Sequence, residues 1–367
     1  MHSNWRTTTL GEALPFSYGK NLPAKTRSHS GEFDVVTSAG VVDSHNEAYV
    51  HVPSIVIGRK GTIGSLTFCP NPVWPTDTTF FATETDACNL RFGYYLLHTL
   101  HLRELNNDSA VPGLNRSDAH ALEIHLPPRS EQVGIATVLG ALDDKIVANQ
   151  TSISKVDEIL RALWQKELSL GNIDVPLSSL ASFINGKAFT KGASGTGRVV
   201  VRIAEMNSGI GGKTVFSDFD ADPDNEVNPG DLLFSWSGTL MTKRWPYDQA
   251  IVNQHIFKVV PNGQLDLWAL RQAIDTQLEY FQMIAAGKAT TMGHIKRGDL
   301  DQEVEVPVQM SEETNQLGNS LWGLATSLEI QNLQLARTRD ELLPLLMSGR
   351  ITVGEAEDAA DEAASES

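Results

Sequence analysis

Apolar residues recur at alternating steps of three and four through Leu139, Leu142, Ile146, Ile153, Val156, Leu160 and Leu163, with a single polar interruption at Asn149. Side chains three and four apart share one face of an α-helix, so this spacing predicts a long helix with a narrow seam that packs against a second helix. Adding 182 to each number supplies that partner: Leu321, Leu324, Leu328, Leu335, Leu342 and Leu345, with Gln331 in the place of Asn149 and Thr338 in that of Val156. Two seams interrupted by a polar residue at the same step predict an internal repeat of about half the chain. A polar residue there either fixes the register of a helix pair or is a solvent-facing break in the stripe.

Between the seams the periodicity changes. Short alternating runs such as FDVVTSAGVV, separated by Gly, Pro and Asn, predict strand-rich globular regions. PSIVIGRKGTIG from Pro53 aligns with PGDLLFSWSGTL from Pro229, both reading as turn, strand, turn. Pro112-Gly113-Leu114-Asn115-Arg116-Ser117-Asp118 lies opposite Met292-Gly293-His294-Ile295-Lys296-Arg297-Gly298-Asp299, each followed by a short apolar run and proline. FGYYLLHTLHLRELNN from Phe92 and LDLWALRQAIDTQLEYFQMIAAG from Leu265 carry helical spacing, one near the end of each region. The expected class is α+β: two strand-rich globes in tandem repeat, separated by two long helices packed as an antiparallel coiled coil. The expected boundaries are 1–130 and 172–310 for the globes, 131–171 and 311–350 for the helices, and 351–367 for a tail whose acids and lack of aromatics read as disordered.

Composition narrows the setting. Cys69 and Cys88 are the only cysteines and lack metal-ligand or disulfide-framework spacing, no run of apolar residues is long enough to span a bilayer, and MHSNWRTTTL has no signal-peptide pattern. A cytoplasmic protein without a membrane partner is expected. The 29 Lys and Arg against 45 Asp and Glu give a net charge of -16, which argues against nucleic acid unless the basic residues gather on one face or partner subunits share the phosphate attraction.

Catalytic signatures are incomplete. SGIGGKT from Ser208 has Asn207 where a phosphate-binding loop needs its first glycine, and the next residues, VFSDF, read as strand, so a surface turn is the simpler account. Asp218, Asp220, Asp222, Asp224 and Glu226 alternate as calcium ligands do, but without the central glycine and with Pro223 intruding. Asn71-Pro72-Val73-Trp74 lacks the second proline of a target-base motif, and His98 and His101 have no partner carboxylate at a zinc-binding spacing. No cofactor, no metal and no catalytic residue are expected.

The repeat, together with VIGRKGTIGSL, the run AVPGLNRSDAHALEIHLPPRSEQVGIATVLGALDDKIVANQ and VRIAEMNSG opening the second globe, resembles the specificity subunit of type I restriction-modification enzymes. The order from Pro127 to Gln150 is the most specific part; the second copy keeps only VPVQMSEE and a Leu-plus-Asn spacing. The resemblance implies a non-catalytic subunit whose two target-recognition domains each read half of a bipartite, asymmetric site in double-stranded DNA. It also implies that the helices are spacer and docking surface for two DNA methyltransferase subunits, with restriction and translocase subunits as further partners. A standalone DNA-binding scaffold or regulator of a related phage-defence system is the alternative.

Loops reach groove edges while strands hold them, so DNA contacts are expected from basic residues in the Gly- and Pro-rich loops. In the first globe these are Lys20, Lys25, Arg27, Arg59, Lys60 and Arg116; in the second, Lys187, Lys191, Lys243, Arg244, Lys296 and Arg297. For each, a solvated charge is the competing reading. Asn115 has the amide that pairs with adenine, and equally the side chain that stabilises a turn.

Overall fold

The computed structural model describes residues 4–105, 113–287 and 293–365, so Pro112 and Met292 of the second repeated motif lie outside it. It divides into two compact units: unit 1 is Met1–Lys145 with Leu335–Glu366, and unit 2 includes Ile146–Gln334. The long helices are therefore shared out by halves, and each globe is packed with its own stretch of them.

In unit 1 the strands are β1 (Arg6–Thr9), β2 (Ser17–Tyr18), β3 (Phe33–Thr37), β4 (Gly40–His45), β5 (Ser54–Gly58), β6 (Leu66–Cys69), β7 (Val73–Pro75), β8 (Thr79–Thr83) and β9 (Glu123–Leu126). They form one sheet ordered β2-β8-β5-β6, a second ordered β4-β3-β7, and the pair β1-β9. The short helices are α1 (Leu10–Ala13), α2 (Leu90–Thr99) and α3 (Arg116–His120). Every residue of β5 is buried, as expected of a strand covered on both faces.

Unit 2 repeats this plan with β10 (Asn172–Pro176), β11 (Ala181–Asn185), β12 (Arg198–Val201), β13 (Phe216–Ser217), β14 (Glu226–Val227), β15 (Leu232–Ser235), β16 (Met241–Arg244), β17 (Ala250–Val252), β18 (Ile256–Pro261) and β19 (Glu303–Pro307). The sheets are β11-β18-β15-β16 and β13-β12-β17-β14, with the pair β10-β19. In both units one sheet, β4-β3-β7 in the first and β13-β12-β17-β14 in the second, contains one parallel pairing, β3 with β7 and β12 with β17, beside antiparallel neighbours. The helices α5 (Ile203–Ser208), α6 (Leu267–Thr276) and α7 (Leu278–Gly287) complete the globe.

Helix α4 (Arg129–Leu170) and helix α8 (Glu312–Met347) carry the two seams. In unit 2 they run antiparallel, because Asn149 meets Gln331 (2.6 Å) while Glu167 meets Thr314 (2.6 Å). In unit 1 Asp143 meets Arg339 (2.6 Å). Asn149 and Gln331 are both buried and bond each other, so of the two readings of the polar interruption the inward one holds. A contact between repeat equivalents is what the midpoint of two antiparallel copies of one helix produces. The fold class read from the sequence is borne out.

The second seam is displaced from its expected line. Leu139, Leu142, Val156 and Leu160 are buried as expected and Ile146, Ile153 and Leu163 partly so, but Leu324 is 48% exposed while its neighbours Trp322 and Ala325 are buried. Trp322 donates its indole N–H to the Gly230 carbonyl (3.0 Å), so the globe claims the face next to the seam and rotates the buried stripe by one residue. Leu321 and Leu328 are half-buried in consequence, and the line is regained at Leu335 and Leu342, with Leu345 half-buried beside Leu346.

The tail also departs from its reading. Val353–Ser365 is a helix, α9. Thr352 and Glu355 close a capping box, Thr352 N–H and Oγ1–H both donating to the Glu355 carboxylate (2.8 Å each) while Glu355 N–H donates back to Thr352 Oγ1 (3.3 Å). Ala356 is fully buried, and the alanines of the segment, which the reading from acids and missing aromatics left out, favour helix once one face is covered.

Candidate nucleic-acid interface

The turn after β5 and the turn after β15 are built by the same hydrogen bonds. Arg59 N–H donates to the Thr78 carbonyl (2.9 Å) and Arg59 O accepts from Leu114 N–H (2.8 Å); Trp236 N–H donates to the His255 carbonyl (3.0 Å) and Trp236 O accepts from Ile295 N–H (3.0 Å). These bonds align Arg59 with Trp236 and Arg116 with Arg297. The sequence alignment from Pro53 and Pro229, which sets Arg59 against Ser235, is therefore one residue out of register.

In unit 1 this turn, β2 and the start of α3 enclose a cleft of about 570 Å³ lined by Tyr18, Arg59, Lys60, Phe80 and Gly113–Arg116. The Tyr18 ring has the Arg59 guanidinium 5.1 Å from its centroid and that of Arg116 at 4.8 Å, with Phe80 edge-on at 5.0 Å. Stacking on one ring holds the two guanidinium groups side by side, with Arg59 Nη1 also donating to the Asp77 carbonyl (3.1 Å), and paired cations of this kind suit phosphate or the edge of a base. Behind them, burial and then the Arg116 charge lower the His120 pKa below its ordinary value, and its Nε2 accepts from Phe16 N–H (2.8 Å).

The equivalent cleft of unit 2, about 400 Å³, is lined by Asn185, Trp236, Phe257, His294, Ile295, Lys296 and Arg297. Here the wall is aromatic: the Trp236 ring lies 4.9 Å from His255 and 5.9 Å from Phe257, and its indole N–H donates to Asn185 Oδ1 (2.8 Å). His255 stands at φ 77°, a left-handed backbone that a non-glycine residue holds at some cost. Exposed Lys296 and Arg297 form the rim.

A second repeated feature adjoins each cleft. Gly19 N–H donates to the Thr79 carbonyl and Lys20 N–H to that of Pro75; Gly186 and Lys187 do the same to Ile256 and Val252. A Cβ at either glycine would come 2.1 Å from a carbonyl oxygen, so the chain passes too close for a side chain and both lysines project from one fixed backbone position. Lys20 lies over Tyr49 and Trp74, 5.5 and 5.4 Å from the ring centroids, and Lys187 is exposed.

The remaining sequence candidates divide. Lys25, Lys60 and Lys191 are exposed and Lys243 half-exposed. Arg27 is committed internally, 3.6 Å from Asp43 and bonded to the Leu22 carbonyl (3.3 Å). Asn115 caps α3 by accepting from Ser117 N–H (2.8 Å), the turn-stabilising role. Arg244 has to be taken off the groove-facing set: strand alternation points it away from Lys243, it is buried, and Glu329 holds it at 2.9 and 3.1 Å. The rings of Tyr18, Phe80, Trp236 and His255 escape a reading of the sequence that looks to charge for DNA contacts; Tyr18 preceding Gly19-Lys20 was the available signal. Among the described residues no three His, Cys, Asp or Glu side chains are placed to hold a metal, and no helix is long and apolar enough to cross a membrane.

Doubled sheets of this order, each carrying a basic and aromatic cleft and each packed on its own stretch of two long helices, define a tandem-repeat α+β protein. Residues 2–158 match the family described as the type I restriction modification DNA specificity domain. Over 170 residues, 45% of this chain, the sequence is 25% identical to the type I restriction enzyme EcoDI specificity subunit of Escherichia coli, and the match spans only 37% of that relative's length. The fold is similar to the type I restriction-modification S subunit of M. genitalium, with a TM-score of 0.59 and 15% identity, covering 94% of this chain and 96% of that one. The HsdS subunit from Thermoanaerobacter tengcongensis, 14% identical, aligns over 99% of this chain and 97% of that one with a TM-score of 0.31, too low to bear on the fold. Residues 2–158 are thus similar to the type I restriction-modification DNA specificity domain family, and the resemblance to specificity subunits drawn from the sequence is borne out.

Proposed function

We propose that this chain is the non-catalytic, DNA-reading subunit of a type I restriction-modification complex, each unit reading one half of a bipartite site through its cleft. The observation that supports this best is that one backbone frame, fixed by the same hydrogen bonds in both units, surrounds different side chains, as two readers of two different sequences require. The methyl-transferring and DNA-cleaving chemistry belongs to partner subunits, which dock on α4 and α8 and add the positive charge that a chain of net charge -16 lacks. DNA binding by the isolated chain is correspondingly weak and steep in salt.

Methylome sequencing of cells with and without the gene tests the reading: a bipartite motif methylated only when the gene is present is expected. Replacing residues 172–310 with the corresponding globe of a relative then changes one half of that motif. A methylome indifferent to the gene, or a replacement that alters both halves, would overturn it.

A further inference from the structure

We propose that the two junctions between globe and helix pair are keyed, so that each globe seats on its own stretch of helix and is rejected by the other. The inference stands on packing within each unit and does not depend on DNA binding.

Equivalent positions at the two junctions carry incompatible chemistry. Phe68 pairs with Ile55 across β6 and β5 as Arg244 pairs with Leu232 across β16 and β15. Helices α2 and α6, ten residues each from Leu90 and Leu267, set Tyr94 against Arg271 and His98 against Asp275. The 182-residue repeat of the seams sets Asp157 against Arg339.

In unit 2 the globe brings cations to an acidic helix face. Arg244 chelates Glu329, lies 3.6 Å from Asp157 and stacks on Trp322 at 4.7 Å; Arg271 reaches Asp157 at 3.1 Å. In unit 1 the helix itself supplies the cation, Arg339, bonded to Asp143 (2.6 Å), which also accepts from Tyr95 Oη–H (2.5 Å). The globe opposes it with rings: Tyr94 lies 5.6 Å from Phe68 and 4.7 Å from His98. Burial, then the Arg339 charge, lowers the His98 pKa, so a neutral imidazole faces the cation.

An exchange of globes would bring Arg244 and Arg271 against Arg339, and would leave Asp157 and Glu329 facing rings with no counter-charge. Arg244 is buried and Asp157 and Glu329 are half-buried, and a charge withdrawn from water without its counter-ion is strongly destabilising. Shape repeats the message. The Arg91 guanidinium covers Gly140, where a Cβ would meet it at 2.6 Å, and the repeat equivalent of Gly140 is Trp322. Trp268, the equivalent of Arg91, covers Gly318, where a Cβ would lie 2.2 Å from the ring.

The test transfers a key within the full-length chain. Asp157→Arg installs the unit 1 helix residue in unit 2, and Arg244→Phe with Arg271→Tyr installs its unit 1 partners. Each change alone should lower the unfolding midpoint of unit 2, followed by calorimetry and limited proteolysis, by on the order of 10 °C. The triple variant, in which the guanidinium introduced by Asp157→Arg has Glu329 as counter-ion, should recover at least half of that loss. Additive losses in the triple variant would overturn the proposal, as would an Asp157→Arg chain with an unchanged midpoint. Should Asp157→Arg not yield soluble protein, the triple variant compared with Arg244→Phe/Arg271→Tyr decides: a triple variant that melts no higher than that double overturns the key.

Discussion

Arg59 in unit 1 and Trp236 in unit 2 occupy one backbone position, yet one presents a guanidinium to its cleft and the other an indole. The same contrast recurs at the junctions, where Phe68 stands for Arg244 and Tyr94 for Arg271. What the two units share is carried by main-chain hydrogen bonds and sheet order, which many side chains satisfy. What separates them is carried by side chains whose partners lie on other elements, so divergence in the globes has been matched by divergence in the helices they touch.

The largest expected effect lies at the unit 2 junction. Arg244→Met leaves Glu329 without the guanidinium that chelates it, while Asp157 keeps Arg271 at 3.1 Å, and removal of the buried partner of an ion pair costs about 3–5 kcal/mol. Arg339→Met in unit 1 should cost less than half of that, because Arg339 is 29% exposed and Asp143 keeps the Tyr95 hydroxyl. Chemical denaturation of both variants checks it; equal losses would mean that the two junctions are energetically alike.

A second contrast is a matter of pH. Glu167 is buried, and its carboxylate accepts from Thr314 Oγ1–H, Ser311 N–H and Ser311 Oγ–H, which together hold its pKa below the ordinary value. A carboxyl group whose folded pKa is depressed contributes stability above its unfolded pKa and loses it as pH falls through the folded one. The α8 amino terminus should therefore loosen below about pH 4.5, the ordinary glutamate value, and Glu167→Gln should remove about 1.5–3 kcal/mol at neutral pH, typical of hydrogen bonds to a charged group. At the equivalent of Thr314 unit 1 carries Gln132, which accepts from Asn89 N–H and donates to the Ala87 and Pro127 carbonyls, and which does not titrate. Hydrogen exchange at pH 7 and pH 3.5 reads out both helix starts, and protection that falls equally at the two would contradict the assignment.

The clefts should differ in how they respond to salt. Arg59→Gln removes a charge and should lower the slope of log K against log salt by about 1 if it contacts phosphate. Trp236→Ala removes no charge, so on the proposed DNA-reading role it should weaken binding while leaving the slope unchanged. Titrations of the methyltransferase complex at several salt concentrations separate the two, and a Trp236→Ala slope that drops by a full unit would show the indole acting only through neighbouring cations.

The seams, the repeat and the α+β class were legible because helical periodicity and a fixed offset are properties of sequence alone. The shift of the buried stripe from Leu321 and Leu324 to Trp322 and Ala325 was not, since it depends on which carbonyl of the globe the indole meets. Arg244 read as a groove-facing cation because it sits beside Lys243; only the strand partner that turns it inward distinguishes the two. The clefts were half legible: their basic rims follow from residue type, while Tyr18 and Trp236, which arrange those rims, are separated in sequence from the residues they stack against.

The smallest expected effect is where two repeat equivalents, Asn149 and Gln331, meet. Asn149 Nδ2 donates to Gln331 Oε1 (2.6 Å) and Asn332 Oδ1 (3.0 Å), so the buried pair is satisfied and its net contribution to stability is modest. Asn149→Leu alone strands part of the Gln331 amide and should cost about 1–3 kcal/mol, the desolvation of a polar group left without its partner. Asn149→Leu with Gln331→Leu removes both and should fall within about 1 kcal/mol of the parent. Stability is then nearly unchanged while the polar pair that distinguishes one alignment of the helices from a neighbouring one is gone. Hydrogen exchange along α4 and α8 should show weaker protection in the double variant at an unaltered denaturation midpoint. Protection identical to the parent would mean that the flanking leucines alone fix the register, and that Asn149 and Gln331 bond each other only because the repeat puts them together.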